Sequence, residues 1–335
     1  ANNASLGYGA LGATTTGISN TAIGSGSLFS NTTASNNTAV GTNALLLTTT
    51  GTENVAVGAN ALDANTTGAS NVAVGQGALD NNTTASNNTA VGHDSMKSNT
   101  TGAENVAVGK GALNANTTAS NNTAVGRSAL LVNTTGGDNV AVGMNALDAN
   151  TEGVSNNGLG AFSLTANTTG DNNVAVGRAA LAANTTADNN TAVGNNALVT
   201  NTTGTQNTAV GGTALDANTT ANYGTAVGYG SLGANTTGTE NSAVGRSSLL
   251  ANTTGGKNVA FGSGTLAGNT TASNNTGLGW ASLFTNTTGA SNTAVGMSAL
   301  LSNTTASNNT AVGYQAAYSN TTGTRNTAVG DRALQ

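Results

Sequence analysis

Residues 88–104 read N-T-A-V-G-H-D-S-M-K-S-N-T-T-G-A-E, and variants of this stretch recur along the whole chain. A Gly stands at position 7 and at every seventeenth residue after it up to position 330, which gives twenty copies with no insertion or deletion. A fixed period of this kind indicates stacked structural repeats. We therefore predict one continuous repeat solenoid over residues 1–335, with no internal domain boundary.

The consensus N-[TV]-A-V-G-x-x-A-L-x-x-N-T-T-[GA]-x-x contains two apolar columns, one just before the Gly and one four residues after it. This spacing does not match the pattern of an amphipathic helix, whereas side chains that alternate along a strand can line two faces. The sequence therefore predicts an all-β fold, a parallel β-solenoid or β-roll of about twenty 17-residue coils, each with two short strands joined by bends. The side chains expected in its core are Val57, Leu62, Val74, Leu79, Val108 and Leu113.

Two further columns predict structure at the bends. An unvarying Gly favours a corner with positive φ or close backbone approach, expected at Gly24, Gly41, Gly58, Gly75, Gly92 and Gly109. Asn recurs four residues before the corner, where stacked amides about 4.8 Å apart can form a hydrogen-bonded ladder. The members of this ladder are Asn37, Asn54, Asn71, Asn88 and Asn105. The second Asn column, which opens N-T-T, is expected to close a turn, and the following Gly or Ala does not require positive φ.

Composition limits the possible functions. The chain has no Cys and no Pro, 8 basic against 13 acidic residues, and only 6% charged residues. There is no thiolate metal site, no basic run for nucleic acid and no apolar stretch long enough to insert into a membrane. Paired carboxylates or a nucleophile with a base do not recur at any coil. We predict neither enzymatic activity nor a cofactor, and no nucleic-acid partner.

Self-association is expected because a coil with so few large apolar side chains needs further burial. If Ala forms an outer face, a partner chain must cover it, so we predict a homo-oligomer, a trimer in particular. At about 4.8 Å per coil the repeats would form a rod of about 95 Å. The repeat runs from Ala1 to Gln335 without an atypical capping copy. We therefore expect either a segment of a longer chain or end-to-end filaments formed by strand pairing.

The pentapeptide N-[TV]-A-V-G, as in residues 54–58 and 105–109, resembles the head repeat of trimeric autotransporter adhesins, the YadA-like or haemagglutinin-type repeat. The resemblance implies a left-handed parallel β-roll with three chains side by side. It places Val57 and Leu62 inward and Ala56 near the trimer axis. Because the family's common coil is shorter, the N-T-T-G segment is expected to bulge out as an extra turn. These repeats also resemble those of phage tail fibres.

Three features could be functional sites, but each also has a purely structural interpretation. His93 next to Asp94 could form a metal or acid-base site, but without a second His a solvated bend is the stronger interpretation. Gly7, Gly9 and Gly12 match G-x-G-x-x-G without the strand-helix unit that binds phosphate. Charges also cluster near the bends, where they favour solubility or a receptor-binding face. The members of this set are Lys110, Arg127, Arg178 and Arg246 after the corner, and Glu53, Glu104, Asp138 and Glu240 before the next strand.

Surface columns suggest three kinds of ligand or modification. Tyr229, Trp280 and Tyr314 share one repeat position and could stack on sugars. The N-T-T turns match the N-glycosylation signal. The Thr columns allow an ice-binding interpretation, although adjacent Thr residues on a strand would face opposite ways. Candidate glycosylation sites are Asn31, Asn65, Asn82, Asn99, Asn116, Asn133 and Asn320, and the Thr column includes Thr66, Thr83, Thr100 and Thr117.

Taken together, these observations predict a structural or adhesive extracellular fibre or surface adhesin head that can polymerise into filaments. Its expected location is outside the cell, on the cell surface or on a virion fibre. Its expected partners are further copies of itself and host or matrix surfaces or glycans. An ice-binding β-solenoid and a phage tail-fibre shaft are the alternatives.

Overall fold

The computed structural model describes residues 2–335, which form an all-β solenoid with one three-residue strand per 17-residue coil and no helix. This confirms the predicted fold class. Residues 2–335 contain no helix long and apolar enough to cross a membrane. The strands are β1 (Ala4–Leu6), β2 (Thr21–Ile23), β3 (Thr38–Val40), β4 (Val55–Val57), β5 (Val72–Val74), β6 (Thr89–Val91), β7 (Val106–Val108), β8 (Thr123–Val125), β9 (Val140–Val142), β10 (Asn157–Leu159), β11 (Val174–Val176), β12 (Thr191–Val193), β13 (Thr208–Val210), β14 (Thr225–Val227), β15 (Ser242–Val244), β16 (Val259–Phe261), β17 (Thr276–Leu278), β18 (Thr293–Val295), β19 (Thr310–Val312) and β20 (Thr327–Val329).

The chain divides into two compact units, one that ends at Thr169 and contains β1 to β10, and one over Gly170–Gln335 that contains β11 to β20. Within each unit every strand pairs in parallel with the strand of the next coil, always in the register of one repeat. In β4 and β5, for example, Ala56 lies opposite Ala73. Each repeat position therefore forms a column along its unit. The single domain over residues 1–335 stays a prediction.

The strands point their middle residue inward and their outer two residues outward. Ala56 is buried, whereas Val57 is 37% exposed and Val108 is 36% exposed. Placing Val57, Val74 and Val108 in the core was therefore wrong, and Val74 is only half-buried. Alternation forces this arrangement, because a strand with a buried middle residue turns both neighbours to the other face. We call the outward first and third residues of the strands the sheet face.

The predicted Leu column is in the core, but it does not belong to a second strand. Leu62, Leu79 and Leu113 are fully buried, which confirms them as core residues. Leu62 adopts φ 52° in the turn that follows the corner, and the same left-handed conformation recurs at this position along the chain. A left-handed residue interrupts strand geometry, so the prediction of two strands per coil was wrong. The backbone N–H of Leu62 donates to the Ala78 carbonyl of the next coil, at 3.0 Å.

The corner glycines behave as predicted. Gly58 has φ 140°, and a Cβ built on it would lie 2.5 Å from the carbonyl oxygen of Gly75 in the next coil. Both features exclude a side chain, since stacking brings the backbones of successive corners together. The same positive φ is present at Gly24, Gly41, Gly58, Gly75, Gly92 and Gly109.

Two buried Asn columns cross-link the coils from the inside. In the predicted ladder, Asn71 donates its backbone N–H to Asn54 Oδ1 at 2.9 Å, and its Nδ2 to the Ala85 carbonyl at 2.9 Å. The Asn residue of N-T-T forms a second ladder, in which Asn82 Nδ2 donates to Asn65 Oδ1 at 3.0 Å and to the same Ala85 carbonyl at 3.0 Å. The first ladder confirms the prediction for Asn37, Asn54, Asn71, Asn88 and Asn105, all of which are fully buried.

The N-T-T-G segment is part of the coil wall and does not bulge out. Asn65 is fully buried, and Thr66 donates from both N and Oγ1 to the Thr83 carbonyl, at 2.8 Å and 3.0 Å. The following Gly68 lacks positive φ, as the sequence predicted for this position. The expected bulge was wrong because the Asn side chain is needed inside, where it satisfies buried carbonyls.

Candidate binding surfaces on the turn side

The turn side of each coil is formed by the residues one, two and five positions after the corner Gly, and its side chains differ from coil to coil. In the coil of Gly92 these residues are His93, Asp94 and Lys97. The sheet face, by contrast, repeats Thr or Val and then an aliphatic or aromatic residue in almost every coil. Individual chemistry is therefore concentrated on the turn side, as expected for the variable surface of a repeat protein.

Asp94 is held between two basic groups. Its carboxylate lies 3.1 Å from His93 Nδ1 and 3.3 Å from Lys97 Nζ. No group of three or more His, Asp or Glu side chains in those residues could hold a metal ion. The predicted pairing of His93 with Asp94 is thus present, and it forms part of an exposed ion-pair cluster.

Next to this cluster lies a groove that extends over three successive coils, which we call the basic groove. One side carries His93, Lys110 and Arg127, all exposed and all one position after their corner Gly. Asp94, Gly111, Asn114, Ser128 and Leu131 complete its lining.

A second groove in the Gly170–Gln335 unit, the aromatic groove, runs between Tyr229 and Leu250. A Cβ on Gly212 would lie 3.4 Å from the Tyr229 ring, and a Cβ on Gly233 would lie 3.4 Å from Asp216 Oδ1. Desolvation by burial raises the pKa of Asp216, while hydrogen bonds from its own N–H and that of Ala217 lower it. This groove therefore combines an aromatic ring with a partly desolvated carboxyl group.

The three aromatic residues suggested by the sequence are all exposed. Tyr229 is 64% exposed and stands three coils away from Trp280, which is 57% exposed. Met297 fills the same position between Trp280 and Tyr314, so these three form one continuous column that sequence reasoning missed. The Arg332 guanidinium lies 5.7 Å from the Tyr314 ring centroid, within the range of a cation-π contact.

Glycines two positions after the corner make room for large side chains of the next coil. A Cβ on Gly9 would lie 3.1 Å from the Phe29 ring, and the Cβ of Gly12 would lie 3.3 Å from it. In the G-x-G-x-x-G match, Gly9 and Gly12 therefore lie against Phe29, and Gly7 is a corner glycine that lies against the backbone of Gly24. Similar pairs with an offset of 20 residues join Gly26 to Leu46, Gly111 to Leu131, Gly230 to Leu250 and Gly264 to Phe284.

The Asn side chains of the candidate glycosylation sites are buried or half-buried in the coil. Six of them are fully buried, and Asn320 is half-buried with its Nδ2 bonded to Asn303 Oδ1 at 3.0 Å. A glycan on Nδ2 would replace the hydrogen-bonding group of the ladder and would have no room inside the coil. The exposed turns expected at these residues are therefore wrong, whereas their glycosylation stays a prediction; the residues are Asn31, Asn65, Asn82, Asn99, Asn116, Asn133 and Asn320.

In the Thr column proposed for ice binding, each hydroxyl group donates a hydrogen bond to the Thr carbonyl of the next coil. Thr66 and Thr83 bond to the carbonyls of Thr83 and Thr100, and Thr100 and Thr117 continue the series at 2.9 Å and 3.2 Å. The neighbouring Thr67 is exposed. The hydroxyls of the predicted column are consequently engaged in stacking the coils.

Acidic residues on the turn side interact between coils. Burial raises the pKa of Asp63, and the adjacent Asp80 raises it further. Burial also raises the pKa of Asp80. The positive charge of Lys97 lowers this pKa, and the negative charge of Asp94 raises it. Asp63 Oδ1 is buried without a hydrogen-bond partner. The carboxylates thus destabilise one another where they fall in neighbouring coils.

No protein-family model matches this chain, and no curated protein matches its sequence.

Proposed function

We propose that this chain is a segment of a non-catalytic extracellular or cell-surface fibre that associates laterally through its sheet face and binds surfaces through its turn side. The observation that carries the proposal is the uncovered apolar sheet face. Its third strand position is aliphatic or aromatic in every coil, and Val57, Leu159 and Phe261 are 37%, 40% and 57% exposed. Continuous apolar surfaces of this kind mark interaction sites in soluble proteins.

The energetics support self-association. Covering the exposed third of one Val contributes about 0.5 to 1 kcal/mol. Ten strands in each unit repeat this contribution, and their sum reaches the size of the entropic cost of association. A closed homotrimer, as the resemblance to autotransporter heads implies, is the form we propose. Its contacts are made by Val and Thr of the sheet face instead of Ala, since Ala56 and its equivalents are already buried.

Analytical ultracentrifugation tests the proposal. At micromolar concentration the wild-type chain should sediment as an oligomer, and the double variant Val108→Lys, Val142→Lys should shift toward the monomer. The matched control is Thr118→Lys, Thr135→Lys, which places two charges on exposed positions away from the sheet face. A monomeric wild-type chain, or equal dissociation of both double variants, would contradict the proposal.

Filament formation and the choice of host structure need a separate observation. Electron microscopy of the purified chain separates discrete particles from continuous filaments. Filaments support end-to-end strand pairing. Discrete oligomers support an adhesin head, or a tail-fibre shaft in which other segments provide the ends.

Ice binding is the second candidate, and one observation favours it. In β12 to β14, Thr191, Thr208 and Thr225 lie in register on the sheet face, with Val193, Val210 and Val227 beside them. Such a regular array of hydroxyl and methyl groups could match a lattice. Appreciable thermal hysteresis that Thr208→Lys abolishes would support this candidate, and no hysteresis would remove it.

A further inference from the structure

The basic groove concentrates positive charge in a chain that is acidic as a whole. The formal net charge of the protein is −5. Along the groove, however, Lys110 and Arg127 face the single carboxylate Asp94. Lys97 lies beside the groove and interacts with both Asp94 and Asp80, so the three cations and two carboxylates give a local charge of +1 (three minus two). Asp94 already contacts His93 and Lys97, and no ion pair joins it to Lys110 or Arg127.

Neither of these two cations has an acidic partner. Within residues 2–335 no ion pair involves Lys110 or Arg127, and the Arg127 guanidinium donates from Nη2 to Met144 Sδ at 3.4 Å. The acidic residues Asp63 and Asp80 belong to the two coils before that of Lys97, which lies between them and the groove. Adjacent unpaired cations repel each other, so a bound anion would relieve an unfavourable interaction.

The backbone fixes the spacing of these side chains. Gly111 N donates to the His93 carbonyl and Ser128 N donates to the Lys110 carbonyl, both at 3.0 Å. Asn145 N donates to the Arg127 carbonyl at 3.0 Å. Three consecutive coils are thereby held at the parallel-strand spacing of about 4.8 Å, and the three side chains rise from a rigid base. The backbone of the row is therefore fixed before any ligand arrives, so binding has only the side chains to order.

We propose that the basic groove binds an anionic polysaccharide, with Lys110 and Arg127 contacting its sulfate or carboxylate groups. Guanidinium and ammonium groups both form strong charge-assisted hydrogen bonds with such anions. The Ser128 hydroxyl and Asn114 Oδ1 in the same groove provide polar groups for sugar hydroxyls, and Asn114 Nδ2 donates to the Asp94 carbonyl at 2.8 Å. Duplex DNA suits the groove less well, because proteins bind the DNA backbone by neutralising many phosphates and the groove offers only Lys110 and Arg127 as cations.

This inference rests on the adhesive part of the proposed function and gives it a ligand class. The test measures binding of the whole chain to dextran sulfate, with unmodified dextran, poly-glutamate and duplex DNA as comparison polymers. Binding to dextran sulfate is expected, with at least tenfold weaker binding to the other three. It should weaken at least tenfold when the NaCl concentration rises from about 50 to about 500 mM, because salt screens exposed charges.

Variants assign the site. The double substitution Lys110→Gln, Arg127→Gln should reduce the affinity for dextran sulfate at least tenfold at low salt. The matched control Arg246→Gln removes a cation from the same repeat position, where no other cation stands in the neighbouring coils, and should change the affinity less than twofold. Both variants retain the backbone and the buried columns, and circular dichroism should confirm their folding.

Three results would overturn the inference: no binding of dextran sulfate, equal loss in the double variant and in Arg246→Gln, or equally tight binding of poly-glutamate or DNA. The outcome is independent of self-association. Dextran sulfate binding by a chain that sediments as a monomer would contradict the lateral assembly and leave the basic groove as the binding site. An oligomer that does not bind dextran sulfate would contradict the basic groove as a binding site and leave the lateral assembly in place.

Discussion

The sheet face and the turn side are built from the same coils but follow different rules. On the sheet face the strand sequence hardly varies, and each residue lies opposite its equivalent in the next coil. On the turn side, neighbouring coils carry residues as different as Arg127 and Met144 at one position. At the corners and in the inner Asn columns, where the backbones and amides of successive coils are in contact, one residue type fits. Where side chains project freely from the turn, the sequence can vary, and this is where we place specific recognition.

The difference should appear most strongly at two adjacent glycines. Gly211 is a corner with φ 138°, and its Cβ would lie 2.5 Å from the Gly228 carbonyl, whereas Gly212 begins the turn side and its Cβ would only touch the Tyr229 ring at 3.4 Å. We expect Gly211→Ala to lower the free energy of unfolding by about 2 to 4 kcal/mol, from backbone strain and collision with the next coil. Gly212→Ala should change it by less than about 0.5 kcal/mol.

Urea denaturation followed by circular dichroism measures both variants. Equal stability of the two would mean that the corner is not the close contact that limits stacking.

A second pair compares the interior with the surface at consecutive Asn residues. Asn82 is buried and accepts a hydrogen bond from Asn99 Nδ2 at 2.8 Å, while Asn81 is exposed at a position that is Ala in other coils. Asn82→Ala should destabilise the protein by about 2 to 4 kcal/mol, because it leaves buried partners unsatisfied. Asn81→Ala should have little effect, within about 0.5 kcal/mol. If thermal melting shows the two variants to be alike, the inner ladder does not stabilise the coils.

The smallest expected effect is a pH dependence on the turn side. Because the pKa of Asp63 is raised above its ordinary value of 3.8, the folded chain binds this proton more tightly than the unfolded chain. Its contribution to stability is therefore present at low pH and falls as the pH rises from about 3.8 through the raised pKa. Asp63→Asn should stabilise the protein at neutral pH by less than about 1 kcal/mol and flatten the acid part of the stability profile.

Glu152→Gln, a charge removal at an exposed position away from the turn side, is the control and should leave the profile in place. A steeper acid profile in Asp63→Asn than in wild type would contradict the sign.

The sequence predicted the period, the fold class, the corner glycines, the Leu column and one Asn ladder, because each depends on residues that recur without exception or nearly so. It failed for Val57, because the corner residue Gly58 reorients the chain between Val57 and Leu62, and simple alternation cannot follow the side chains through such a turn. It also assigned Asn65 to an exposed turn, although this side chain is fully buried and donates to the Gly68 carbonyl at 3.0 Å.

The grooves were harder to predict, because they depend on contacts between coils. Arg127 lies beside Lys110 through the stacking of successive coils, and the two are 17 residues apart in the sequence. The offset of 20 residues that joins Gly111 to Leu131 was a detectable signal, but only a comparison of each coil with the next would have found it.

The inward Ala and outward Val of each strand are the central claim, and thiol labelling tests them directly because the chain has no cysteine of its own. Single variants Ala56→Cys, Val57→Cys and Thr67→Cys should be labelled under native conditions at low protein concentration. We predict that Cys at position 56 reacts about two orders of magnitude more slowly than Cys at 57 or 67, since its exposure requires local unfolding. Fast labelling at position 56 with protection at position 57 in the dilute chain would contradict the account.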